Sequence, residues 1–355
     1  MAEAGAQNDV DLQLIVHEIN SAFAGSISFV YLPGDNADDG SRSAYEVVRR
    51  SLDQLKAPWH AIVGDHDVHE KSFDNFKSFM SAETRYAFTA GRVRFVAMNA
   101  FDVPDPKSFA VLPEQIHWAE RELGAATEAG LTKVVLLHCY PSDLKTGREE
   151  VADLVRKHDV RLVDMGHTHY NEIANDGRTL YTATRSTGQM EEGPVGFSVT
   201  NIDNGVVSWR FLELGKLPAI VITSPCDERL RTTFDEPLSG HLKVRAKVWG
   251  DAEIVEVEAA LGNDSVQLRQ SEDRHVWEGV VQRNGKSELR VSAADAMGRR
   301  SADSVRLSGA QIRSRFERDQ DNAVDAWPEH GILGTQLGPN KNGKSGRWRS
   351  KSSCH

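Results

Sequence analysis

RLVDMGHTH (residues 161–169) is a short apolar run that ends abruptly in Gly166-His167-Thr168-His169, and this pattern decides the reading of the chain. The same design occurs three more times. SISFVYLPGD (26–35) ends in Gly34-Asp35, HAIVGDHD (60–67) ends in Gly64-Asp65-His66-Asp67, and KVVLLH (133–138) ends in His138. Each run is apolar without polar alternation, as expected of strands buried on both faces. Each delivers a carboxylate or an imidazole where the strand stops. Between the strands lie helical stretches. EQIHWAERELGAATEAG (114–130) puts Ile116, Ala119 and Leu123 on one face, and GREEVADLVRKH (147–158) does so with Val151, Leu154 and Val155. Ahead of the first strand, residues 9–24 carry Leu12, Ile15, Val16 and Ile19 at helical spacing. Strands alternating with helices predict a layered α/β fold.

Side chains arriving at the C-terminal ends of neighbouring strands converge on one rim, the usual place for an α/β active site. The set here mixes carboxylates with imidazoles, a donor mixture that suits borderline divalent metals such as Mn, Fe, Zn or Ni. The glycines let the chain turn sharply, so that each side chain can leave the core.

The order GDNADDG (34–40), GDHD (64–67), a lone His138 after an apolar strand, then GHTH (166–169) resembles the calcineurin-like metallophosphoesterase superfamily. Within it, the sequence is similar to the branch of Icc-type cyclic-nucleotide phosphodiesterases, over about residues 9–213. The resemblance implies an α/β/β/α sandwich and a hydrolase that cleaves a small phosphate ester with a metal-bound hydroxide. A phosphodiester such as a cyclic nucleotide is the preferred substrate class, and a phosphomonoester or a non-catalytic metal-binding member is the alternative. It also implies roles by position. Asp35 would bridge two metal ions; Asp65, in place of the family's usual Asn, would join His138 and His167 around one of them; His169 would ligate the other. His66 would act on the departing oxygen as general acid, with Asp67 orienting its ring. The family opens on a strand ending in D-x-H, which has no counterpart ahead of Asp35. Four ligands therefore serve one metal and only Asp35 and His169 the other, so one ion is expected here where two would fill the family's site.

From about residue 177 the texture turns to β. RTLYTAT (178–184) and GFSVTNIDNGVVSWRFLEL (196–214) read as strands, with Asp203-Asn204-Gly205 a hairpin turn. Residues 1–215 are read as the metallophosphoesterase domain and 216–308 as a small immunoglobulin-like β-sandwich. In HLKVRAKVWG (241–250), Val244, Ala246 and Val248 alternate with charged residues as in a half-buried strand. Residues 309–355 lose periodicity and end in a basic tail carrying Lys341, Lys344, Arg347, Arg349 and Lys351, read as a solvated end.

Composition sets outer bounds. A chain of 355 residues with 39% hydrophobic and 26% charged residues can bury a substantial core. Its formal net charge of −10 repels polyanions, so a phosphate-bearing substrate needs local positive charge and nucleic acid is not an expected partner. No apolar run is long enough to span a membrane, the first residues carry no signal-peptide pattern, and three scattered cysteines suggest no disulfide framework. A cytoplasmic location is the resulting expectation. Other residues draw plainer readings. Cys139 reads as a small buried hydrophobe, Asp38 and Asp39 as caps of the helix SAYEVVRRSL (43–52), Trp118, Trp327 and Trp348 as packing or tail residues. His60, His69 and His158 carry no motif.

Overall fold

The computed structural model describes residues 7–105, 107–187, 194–238, 240–283, 285–307 and 327–332. The basic tail from 341 onward, with Trp348 and Cys354, lies outside the described residues.

The first helix, α1 (Gln7–Glu18), continues into a wider turn over Ile19–Phe23, and buries Ile15, Val16, Ile19 and Phe23 as its spacing requires. The chain then enters β1 (Val30–Leu32), helix α2 (Arg42–Leu52) and β2 (Trp59–Ala61), and β1 and β2 pair in parallel. The cap of α2 is Ser41, whose hydroxyl accepts from the Ala44 N–H at 3.3 Å. Asp39 instead accepts from the Ser41 N–H at 2.9 Å, so it shapes the turn ahead of the helix and is not the cap. Asp38 turns its carbonyl to His66.

After a short helix α3 (Asp74–Phe79) come β3 (Tyr86–Ala90), β4 (Val93–Ala97), α4 (Pro113–Glu128), β5 (Thr132–Leu136), α5 (Arg148–Lys157), β6 (Leu162–Met165), β7 (Glu172–Asn175) and β8 (Leu180–Ala183). These strands form one six-stranded sheet in the order β3-β4-β5-β6-β8-β7. The central ladders β4–β5, β5–β6 and β6–β8 are parallel, and β3 and β7 close the edges antiparallel. Helices α4 and α5 cover one face, where Ala119, Leu123, Val151 and Leu154 enter the core. On the other face lies the β1–β2 pair: Phe29, just before β1, meets Phe88 and Phe95 edge-on at 5.1 and 4.9 Å. Helices α1 and α2 form the outer layer, with Tyr45, Val48 and Leu52 packed on Ala61, Val63 and Phe76. The α/β/β/α layering follows.

A hairpin of β9 (Gly196–Asp203) and β10 (Val206–Glu213) turns at Asn204 and Gly205, with φ of 51° and 81°, the left-handed pair that the Asp-Asn-Gly signal calls for. Among the described residues β1 pairs only with β2 and β9 only with β10, and a groove of about 510 Å³ lies between them. Ile15 and Val16 of α1 and Ile19 of the turn after it line the groove, as do Leu136 and Leu162, and Asp35, His167 and His169 line it as well.

The remaining strands are β11 (Ala219–Ser224), β12 (His241–Trp249), β13 (Ile254–Leu261), β14 (Asp264–Gln267), β15 (Arg269–Gln270), β16 (Val276–Gln282), β17 (Glu288–Asp295) and β18 (Arg300–Arg306). They make two antiparallel four-stranded sheets, β11-β12-β16-β15 and β14-β13-β17-β18. Leu242, Val244, Ala246 and Val248 point inward from β12 and share a core with Val257, Ala259, Leu261, Val291 and Ala293 of the other sheet. Among the described residues no helix is long and apolar enough to cross a membrane. Cys139 and Cys226 are buried and free.

Asp164 on β6 is buried beneath this framework. Burial pushes its carboxyl up to about 7, against the opposing hydrogen bonds from Thr182 Oγ1 (3.1 Å) and the Met165 N–H. An unfolded Asp titrates near 4. Below that pH both states are protonated; between about pH 4 and 7 only the folded state keeps the proton, so stability falls as pH rises through this window. Asp164→Asn should therefore gain little at pH 4 and on the order of 3–4 kcal/mol at pH 8 at most. Thermal melts of both chelator-treated proteins across pH check this; a Tm difference independent of pH would show that the carboxyl is ionised in the fold.

Candidate metal centre

Each of the four sequence motifs sits where its strand stops. Asp35 follows β1, Asp65 follows β2 in a single 3-10 turn over Asp65–Asp67, His138 follows β5, and His167 and His169 follow β6. The parallel ladders β1–β2 and β5–β6 each bring two of these ends to one edge of their sheet. The backbone is held in the left-handed region at three non-glycine positions, with φ of 54° at Asp35, 61° at His167 and 65° at His169. Such conformations cost about 1–3 kcal/mol each and persist where the surroundings over-determine them. Gly64 permits the closest approach, since a Cβ there would overlap the Asp35 carboxylate and its backbone nitrogen.

Asp35, Asp65, His138 and His167 each offer a ligand atom, and all four atoms lie within 4.8 Å of one another. His138 Nε2 stands 3.0 Å from Asp65 Oδ1 and 3.5 Å from Asp35 Oδ1, and His167 Nδ1 stands 3.2 Å from Asp65 Oδ1. His138 Nδ1–H donates to the Pro33 carbonyl at 2.7 Å, which turns Nε2 toward the two carboxylates. Burial alone would depress the His138 imidazole; Asp35 and Asp65 more than offset that and push it up to about 9. Burial likewise opposes ionisation of Asp65, but hydrogen bonds from His138 and His167 hold its carboxyl well below the usual range. Two nitrogens and two carboxylates, buried to this degree and this close, match a borderline divalent cation.

His169 is not in this set of four, although it lines the groove mouth and a smaller adjoining pocket together with Asp35. Burial pushes its imidazole below the ordinary value, against the pull of Asp35. His66 lies across the mouth of the site. Its N–H donates to Asp35 Oδ1 at 3.0 Å, and its Nδ1 meets the Asp38 carbonyl at 2.6 Å.

That last contact corrects the role expected of Asp67. The His66 ring is oriented by the Asp38 carbonyl and not by the Asp67 carboxylate. Asp67 is fully buried and accepts from Tyr45 Oη–H (2.6 Å), Gly64 N–H (2.8 Å), Asn36 Nδ2–H (2.8 Å) and the Asn36 and Ala37 N–H groups. It ties the Asp35 loop to the Asp65 turn. Burial pushes its carboxyl up to about 6, against the Tyr45 hydrogen bond and with the nearby Asp35 charge. Tyr45 and Asn36 thus belong to the site's frame, and sequence reading did not single them out. An Asn directly after Gly-Asp was the only local signal. His69 stays outside, with Nδ1 on the Asp39 carbonyl at 3.0 Å.

Comparison with known proteins shows what the chain resembles. Residues 5–171 match the family model described as calcineurin-like phosphoesterase. Over that span the chain is similar to a divalent-metal-dependent family whose members hydrolyse phosphate esters. A probable cyclic nucleotide phosphodiesterase of Synechococcus is 27% identical over 197 residues, covering 53% of this chain and 72% of that protein. The 3′,5′-cyclic adenosine monophosphate phosphodiesterase CpdA of Escherichia coli K12 is 25% identical over 195 residues, 51% of this chain and 68% of its own length. A dimetal phosphatase from Danio rerio superposes on 73% of this chain and 88% of its own with a TM-score of 0.47 and 15% identity, a likeness too loose to bear on function.

Proposed function

We propose that this chain is a phosphodiesterase acting on small phosphodiesters, with cyclic nucleotides as the leading substrate class. The observation that carries the reading is the cluster of Asp35, Asp65, His138 and His167 at converging strand ends, with His66 beside it. Asp35, Asp65, His138 and His167 would hold one divalent ion, and His169 would serve a second together with Asp35, beside which it lines the groove mouth. Mn, Fe, Zn and Ni all suit these donors. A divalent ion there supplies Lewis acidity that neutralises phosphoryl oxygens and acidifies water. Around it the chain's own groups bind and orient: Asp67 fixes the two ligand loops, and His66, with Nδ1 committed to Asp38, keeps Nε2 for the leaving oxygen. Neither a nucleophilic Ser nor a Cys is required, and Cys139 beside His138 is buried. Residues 216–308 form a separate β-sandwich domain in this reading.

One observation favours a second reading, metal or ligand binding without turnover. Among the described residues, Asp35 and His169 alone of the ligands expected for a second ion stand at the site. Two ligands hold a metal weakly, so the chain should retain about one divalent ion after gel filtration. Elemental analysis counts it, and two ions per chain would overturn the ligand assignment. The function itself is tested by supplying Mn, Fe, Zn or Ni and following hydrolysis of 3′,5′-cyclic AMP, bis(p-nitrophenyl) phosphate and p-nitrophenyl phosphate. Turnover of the two diesters ahead of the monoester is expected. Preference for the monoester would make the chain a phosphomonoesterase, and metal retention without any turnover would leave the binding reading.

A further inference from the structure

Trp327–Ile332 (WPEHGI) is a short segment whose Trp327, His330 and Ile332 are buried against strands of the body of the protein. The Trp327 N–H donates to the Ile332 carbonyl at 2.7 Å and the Ile332 N–H to Trp327 at 3.1 Å, closing a compact turn through Gly331 at φ 74°. Trp327, His330 and Ile332 are all buried. The Trp327 ring stacks on His330 at 3.5 Å, with the Arg229 guanidinium 4.5 Å over the indole. His330 Nε2 meets Asp303 Oδ1 of β18 at 2.6 Å, the same carboxylate oxygen that Arg210 of β10 holds at 2.9 Å. His330 Nδ1 reaches the Trp209 carbonyl at 3.2 Å. The segment therefore docks as a peptide does, with an aromatic anchor, a charged pair and backbone hydrogen bonds.

Its far end touches the metal centre's frame. Asn171 Nδ2–H donates to the Gly331 carbonyl at 3.1 Å, and Asn171 Oδ1 accepts from the Arg185 N–H at 2.9 Å. Asn171 is fully buried and lies two residues beyond His169, where the left-handed backbone of His167 and His169 ends. Gly331 packs so closely that a Cβ would stand 2.8 Å from Asn171 Nδ2 and 3.0 Å from Phe211 Cβ. A strained loop keeps its shape only while its anchors hold. Nothing in the metal chemistry needs a residue from the C-terminal part of the chain, yet the Gly331 carbonyl is coupled to the loop through Asn171.

We propose that residues 327–332 are an internal peptide ligand, seated between β10, β18 and the loop after β6, and that the Gly331 carbonyl on Asn171 holds that loop in its metal-binding shape. Asn171 is the positioning residue, and the seat accepts a peptide of the form aromatic-x-x-His-Gly-aliphatic, the four named positions being those that make contacts. The inference rests on the metal-site reading above.

The test uses the full chain with His330→Ala, which cuts the anchor remote from the loop, and Gly331→Ala, which forces the contact with Asn171. Titration with Mn²⁺ or Zn²⁺ alone should show affinity lower by about 10-fold, within the 10–100-fold range typical for outer-shell partners. Hydrogen exchange should report faster exchange at the His167–Asn171 amides. His330→Gln, which can still donate to Asp303, should restore most of both. Adding excess synthetic peptide spanning residues 325–334 to His330→Ala should do the same, and the peptide with Gly331→Ala should not. Wild-type metal affinity and unchanged loop exchange in a His330→Ala protein whose 327–332 amides have become exposed would overturn the proposal. Should the unaltered chain bind no metal, the metal reading fails, and loop exchange with and without peptide still decides this one. A Gly331→Ala chain that does not fold leaves the decision to His330→Ala and its peptide rescue.

Discussion

His167→Ala is expected to strip the chain of its divalent ion, with affinity falling by more than about 100-fold, beyond the range that outer-shell partners account for. His167 Nδ1 aims at the same Asp65 oxygen as His138 Nε2, so both imidazoles surround one point. Removing one leaves His138 and two carboxylates, a set with fewer neutral donors and a gap on the solvent side, since His167 is the more exposed of the two imidazoles. The metal-free fold should change little, because the side chain's ring contacts are edge-on to Phe109 at 5.0 Å and His138 at 5.2 Å at the rim. Stability in excess metal is another matter. A ligand at 100 times its Kd stabilises by about 2.7 kcal/mol, and the variant loses that increment. His69→Ala is the matched control, an imidazole nearby whose Nδ1 meets a carbonyl and which belongs to no ligand set. Elemental analysis after gel filtration and melts with and without Mn²⁺ give the answer. Equal metal content in the two variants would end the ligand assignment.

What the sequence made legible is what a strand or turn encodes locally. The four apolar runs announce their strands by composition, although only β5 and β6 are largely buried while β1 and β2 are mostly half-buried, and the break to Gly-Asp or His marks the rim. The Asp203-Asn204-Gly205 turn and the alternation in β12 are equally local, and both stand in the fold. β7 is a different case: Glu172 and Asn175 are fully buried, so its composition hides a strand that tertiary partners alone justify. Asp67 shows the same limit at the site. Its neighbour in sequence is His66, but its partners are Tyr45 and Asn36, 22 and 31 residues away, and no spacing rule predicts that choice. Residues 327–332 read as part of an aperiodic tail because their burial depends on Asp303, Trp209 and Asn171. Ligand identity is thus written where a strand ends, while the frame that aims the ligands is written in contacts across the fold.

His66→Ala is expected to slow hydrolysis of an alkyl phosphodiester by roughly 10²–10⁴-fold, the usual worth of a positioned general acid. Metal content should stay at the wild-type level, because His66 lies outside the ligand cluster. The geometry gives the ring one task. Nδ1 is 2.6 Å from the Asp38 carbonyl, and a carbonyl accepts only, so Nδ1 carries a hydrogen and the ring is pinned with Nε2 as its free end. Burial depresses the imidazole, but Asp38's carbonyl and the carboxylates of Asp35, Asp65 and Asp38 outweigh it and raise the group, favouring the form that can donate from Nε2. A donor there matters in proportion to the leaving oxygen's need for a proton. An alkoxide needs one badly, whereas a nitrophenolate departs as an anion. The His66→Ala penalty should therefore shrink by at least about 10-fold on a nitrophenyl diester, since proton donation no longer contributes its share of the rate. His66→Asn separates the remaining alternatives, for it keeps a neutral amide donor near the same place but is too weak an acid to protonate a departing alkoxide. If the penalty is equal on alkyl and nitrophenyl diesters while metal stays bound, His66 acts on the phosphate through charge and position, and the general-acid role fails. If metal is lost as well, His66 belongs to the cluster's support, through its N–H on Asp35.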